Sequence, residues 1–86
     1  MNIELQVLGS SLRSVAEEMG AILIEHLEGL YTLYGSEQGA RVARKHIGWT
    51  VRELPGGEAL RCAVNKIDAA AAQCAAVNHY FERLAA

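Results

Sequence analysis

Arg41, Arg44, Lys45 and Arg52 are the residues of this chain whose type and spacing point most directly to chemistry with a partner. Projected at about 100° per residue, the four fall within a sector only about 100° wide, with Gly48 in its middle. Val42, Ala43, His46, Ile47, Thr50, Val51 and Leu54 take the remaining arc. Like charges one turn apart, such as Arg41 and Lys45, weaken a helix by a few tenths of about 1 kcal/mol, so a compensating interaction is expected. A phosphate backbone would supply one, because each neutralised phosphate releases counterions and each guanidinium can bind phosphate oxygens in a bidentate way. Gly48 would let a nucleic-acid strand come close to the helix. The competing reading is a solvated face whose charges pair with acidic residues of the first helix. Trp49 borders the stripe, where it could stack on a base, although an indole shared between helices as a core anchor is the favoured expectation.

Other reactive side chains give no comparable pattern. His46 projects to the apolar side and is expected as a partly buried, hydrogen-bonded imidazole, whereas His26 and His79 stand alone. Neither an H-E-x-x-H motif nor another ligand cluster of metal spacing occurs, so no metal site is expected. Cys62 and Cys74 lack C-x-x-C spacing and read as two reduced core thiols, with a single disulfide between adjacent helices as the alternative. There is no G-x-G-x-x-G, no phosphate-binding P-loop and no nucleophile with a visible base, so catalysis and cofactor binding by these residues alone are not expected.

The net charge of −2 would disfavour a polyanionic partner if it were evenly spread. Residues 1–34 hold Arg13 against Glu4, Glu17, Glu18, Glu25 and Glu28, while residues 35–57 hold the four cations against only Glu37 and Glu53. The local field, which is what a partner meets, is therefore positive in the middle of the chain. Hydrophobic residues make up 51% and charged residues 21%, enough for one modest core in a single small domain. No run approaches the roughly 18 apolar residues of a membrane span, and the start lacks a signal-peptide pattern, so a cytoplasmic protein without membrane contact is expected.

The elements that must position the stripe are helical. Leu12, Val15, Met19, Ile22, Leu23, Leu27, Leu30 and Tyr34 recur at steps of three and four, with Ser14 and Glu17 fitting a capping box and Gly35 a C-cap. Ser36 can cap a second helix that ends before Pro55. After the turn at Pro55-Gly56-Gly57, a short third helix carries Leu60, Val64 and Ile67. Asp68 is placed to cap a fourth, with Ala70, Ala71, Cys74, Val77, Tyr80, Phe81 and Leu84 turned inward. The expected fold is all-α, a small antiparallel four-helix bundle over residues 12–86. Ile3, Leu5 and Val7 alternate with polar residues as in a strand, but a lone strand has no partner here, so residues 1–11 read as a linker remnant or frayed extension, with an arm that pairs with a second copy as the alternative.

The run Tyr34-Gly35, then Gly39-Ala40-Arg41-Val42-Ala43-Arg44-Lys45-His46-Ile47-Gly48-Trp49, then Leu54-Pro55-Gly56, resembles the start of the helical domain in B-type, NifR3-like bacterial tRNA-dihydrouridine synthases. Leu60-Arg61, Val64-Asn65, Ile67-Asp68, Gln73 and Tyr80-Phe81 are similar to that family's closing helices, so the likeness covers about residues 20–86. It implies a C-terminal tRNA-binding domain that grips tRNA with Arg41, Arg44 and Lys45, while a TIM barrel using FMN and NADPH reduces particular uridines. Arg52, Arg61 and Lys66 join the expected RNA-binding set by charge and position. The resemblance places catalysis and both cofactors in the barrel, outside these 86 residues. The expected partners are tRNA and that barrel, with a free-standing protein-interaction domain or homodimer as the alternative.

Overall fold

The computed structural model describes the backbone of residues 2–86 and the side chains of residues 13–86. Four helices follow in order, α1 (Asn2–Tyr34), α2 (Ser36–Val51), α3 (Gly57–Val64) and α4 (Ala70–Ala85), and the described residues contain no strand. The all-α expectation is therefore met. The strand-like alternation of Ile3, Leu5 and Val7 falls within α1, because period two in so short a run does not outweigh helix continuity. Side-chain contacts of residues 2–12, and with them the arm or linker reading, lie outside the described residues. Ser14 and Glu17 are interior to α1 and form no capping box.

Gly35 alone joins the two longest neighbours in sequence. Its φ of 87° is strained for any residue with a Cβ, and its N–H donates to Tyr31 O at 2.8 Å while its carbonyl accepts from Gly39 N–H at 2.9 Å. It thus ends α1 and begins α2. Ser36 does not cap α2 as expected; its Oγ accepts the backbone N–H of Ala70 at 3.0 Å and so satisfies the start of α4 across the fold. Asp68 is likewise not the cap of α4, whose preceding residue is Ala69.

Leu23 and Leu27 from α1, Ala43, Ile47 and Val51 from α2, Leu60 and Val64 from α3, and Val77 and Phe81 from α4 form one core. The buried edge of α1 runs through Ala16, Gly20, Leu23 and Leu27, not through Val15, Ile22 and Tyr34, which are exposed. Gly20 falls on this edge because α4 comes close there: a Cβ on Gly20 would sit 2.8 Å from Phe81 Cβ. At the other end of α1, Tyr31 bonds Gln73, so contacts between α1 and α4 run in opposite chain directions. Contacts between α1 and α2 do the same, from Tyr31 against Gly39 to His26 against His46. The third helix ends at Val64, before the expected Ile67, which still packs on the core. On α4, Ala71 is exposed, and Gln73 is the residue that goes inward.

Gln73 is fully buried. Its Oε1 accepts from Tyr31 Oη–H at 2.6 Å and its Nε2 donates to Ala40 O at 2.8 Å, so one amide bridges α1, α2 and α4. Replacement Gln73→Ala should destabilise the protein by about 2–4 kcal/mol in urea unfolding, combining a cavity with two groups left unpaired. Burial, and then the negative charge of Cys74 and Glu28, push the Tyr31 phenol up from 10.0 to about 12. The folded state keeps this proton where the unfolded chain has lost it, so stability should fall as pH rises from 10.0 towards about 12. Absorbance titration of tyrosinate, repeated on Tyr31→Phe, checks this.

Candidate nucleic-acid interface

Burial of Ala40, Ala43, Ile47 and Val51 fixes which way α2 faces, and thereby where its cations stand. Arg41, Lys45 and Arg52 are exposed, whereas Arg44 at the edge of the stripe and Gly48 in its middle are partly covered. The four cations are thus brought to one side of α2, the side that meets α3 and the segment leading to α4.

They are not equally available. Arg41 Nη2 bonds Glu37 Oε1 at 2.7 Å, one turn back on the same helix. Arg44 is an internal clamp: its side chain is only 26% exposed, and Nη2 donates to both Asp68 Oδ1 at 2.6 Å and Ile67 O at 3.1 Å. Its Nε is buried with no hydrogen-bond partner. This arginine anchors the segment between α3 and α4, and Asp68 serves that contact in place of a cap. Lys45 and Arg52 form no ion pair among the described residues.

Gly48 does not leave an opening for a strand, as the sequence suggested. The aliphatic stem of Arg61 lies over it, with Cγ and Cδ each 3.5 Å from where a Cβ would stand. The glycine instead lets α3 add a fifth cation to the α2 stripe. Arg61 Nε and Nη2 bond the Glu58 carboxylate at 3.0 and 2.6 Å, and those bonds hold the Glu58 carboxyl below its ordinary range. Lys66 is exposed in the segment that Arg44 anchors. No described residue of α1 pairs with these cations; their carboxylate partners are Glu37, Glu58 and Asp68. The i, i+4 spacing of Glu37 and Arg41 and the i, i+3 spacing of Glu58 and Arg61 were visible signals for two of those pairs.

Trp49 is 66% exposed and is not a core anchor, because its position on α2 lies on the far side from the buried Ala40, Ala43, Ile47 and Val51. Its ring meets His46 edge-on with centroids 5.7 Å apart. His46 is half-buried and hydrogen-bonded as expected, but its partner is His26, with Nε2 of His26 3.2 Å from Nδ1 of His46. His26 therefore does not stand alone. Both cysteines are free: Cys74 is half-buried, while Cys62 is exposed and so is not a core thiol. Among the described residues there is no cluster of three or more metal-ligating side chains, and no helix long and apolar enough to cross a membrane.

Comparison with curated proteins gives a consistent relative. The chain is 45% identical over 64 residues to tRNA-dihydrouridine synthase B of Pseudomonas aeruginosa, covering 74% of this chain and 19% of that protein. This chain is a relative of tRNA-dihydrouridine synthase B. The synthase B proteins of Pseudomonas syringae and Vibrio vulnificus agree, at 41% over 68 residues and 39% over 69 residues. The chain spans about one fifth of the length of these synthases. No family model matches it, and no solved structure does.

Replacement Gly48→Ala should be accommodated, since 3.5 Å is ordinary contact distance, and should stabilise α2 by about 0.5–1 kcal/mol. Arg44→Ala should cost about 1–2 kcal/mol through its lost charged hydrogen bonds, whereas Lys45→Ala should be neutral within about 0.5 kcal/mol. Urea midpoints of the three variants check this contrast.

Proposed function

We propose that these residues form the helical tRNA-binding part of a tRNA-dihydrouridine synthase B, folded as a small antiparallel bundle. The single observation that carries the reading is the merged cationic ridge. A stripe on α2 is widened by Arg61 across Gly48, in a chain related to enzymes whose name specifies tRNA. Lys45 and Arg52 meet phosphates directly. Arg41 and Arg61 exchange exposed carboxylates for phosphates, at little cost because surface ion pairs contribute only about 0–1 kcal/mol. Lys66 extends the ridge past α3. Arg44 acts mainly by holding the segment that carries Lys66, so its part in binding is indirect.

On this reading the uridine chemistry, with its FMN and NADPH, belongs to the larger part of the synthase that this chain does not span, and the work takes place in the cytoplasm. A second reading rests on Val15, Ile22 and Leu33, which leave apolar surface of α1 exposed. Such surface suits contact with another protein, including a second copy, and a concentration-dependent sedimentation coefficient would favour it.

Titrating tRNA against the chain at several salt concentrations tests the main reading. With four or five phosphates neutralised, log K should fall with log salt at a slope of about −3 to −4. Lys45→Ala and Arg52→Ala should each flatten that slope by about 1. Failure to bind tRNA even at about 50 mM salt, or binding indifferent to both replacements, would remove the proposal.

A further inference from the structure

Trp49 is the sole tryptophan of the chain, and the cationic ridge does not account for it. An isolated exposed apolar side chain is ordinary. Here the surroundings are specific. One turn back on α2 is Lys45 and one turn ahead is Arg52, both exposed and without an ion pair among the described residues. Together they bracket about 10 Å of helix. On its other side the indole is held edge-on by His46, which His26 fixes in turn through the 3.2 Å contact between ring nitrogens. The ring is thus oriented by a relay of two imidazoles that reaches back to α1, while most of its surface stays open to solvent.

We infer that Trp49 is a stacking platform for one unpaired nucleobase, with Lys45 and Arg52 taking the phosphates on either side of that nucleotide. The inference rests on the RNA-binding reading and narrows it: the segment held against α2 is a loop or other single-stranded stretch, because a base inside a duplex offers no free face. Every base has a π face, so the contact selects for an unstacked nucleotide and not for a base identity.

Trp49 fluorescence in the 86-residue chain reads the contact directly, beside binding followed by the anisotropy of labelled RNA. The expected result is quenching by tRNA and by a short single-stranded RNA, with little quenching by a blunt RNA duplex or by inorganic polyphosphate at equal occupancy. Trp49→Leu should weaken tRNA binding on the order of 10-fold and leave the salt slope unchanged, and Trp49→Phe should retain most of the affinity. Circular dichroism confirms that both variants fold. If tRNA saturates the protein with Trp49 emission unaltered, or if Trp49→Leu binds as tightly as the parent, the platform is refuted while the cationic reading stands. Equal quenching by polyphosphate refutes it too, as does emission that changes with protein concentration alone, which would mean that a second copy covers the indole. Absence of any RNA binding removes both readings together.

Discussion

Gln73 is closed off from solvent, yet its amide has a donor end and an acceptor end that must both be met inside the fold. They are met by Ala40 O on α2 and by the Tyr31 hydroxyl on α1, and the geometry of a planar amide leaves little freedom in how the three helices slide past one another. The apolar core around Leu27, Ile47 and Val77 supplies cohesion without direction. The amide supplies the direction. Because Ala40 and Ala43 share the inward face of α2 with Ile47 and Val51, fixing Ala40 fixes the rotation of that helix and places its cations along the flank of the core face, towards α3 and the segment before α4.

The ridge that results carries charge in two states. Lys45 and Arg52 stand free among the described residues, while Arg41 and Arg61 rest on carboxylates three or four positions away. Local pairs of this kind relieve the repulsion that a row of cations imposes on its own helix, and they are weak enough to open. Arg44 is different in kind. Its guanidinium is mostly covered and ties α2 to Ile67 and Asp68, a contact between segments far apart in sequence. A row that looks uniform in the sequence therefore divides into a structural member and exposed members.

That division could not be read from the sequence, and the reason is general to this fold. Much of what depends on periodicity along one helix was legible: the four helices, though not the start of α1 or its buried edge, the stripe on α2, the turn at Pro55-Gly56-Gly57 and the helix-ending Gly35. Whatever depends on which face a second helix approaches was not. Ser36 and Asp68 both look like local caps, and each is instead drawn to a distant partner, Ala70 N–H and Arg44. His26 and His46 are twenty positions apart and meet only because α1 and α2 fold against each other. Gly48 signalled a close approach correctly, but the approaching group is an arginine stem of the same chain. Gln73 was not placed on the inward face, because what draws it in is a pair of partners on other helices, Tyr31 and Ala40.

Gly35 has a mechanical consequence. With one residue between α1 and α2, and with its N–H and carbonyl each committed to a different helix, the junction has no slack to absorb twisting. The two helices are joined like the arms of a crank. Any load that turns α1 about its long axis swings the ridge through the same angle, so that whatever grips α1 sets the aim of α2.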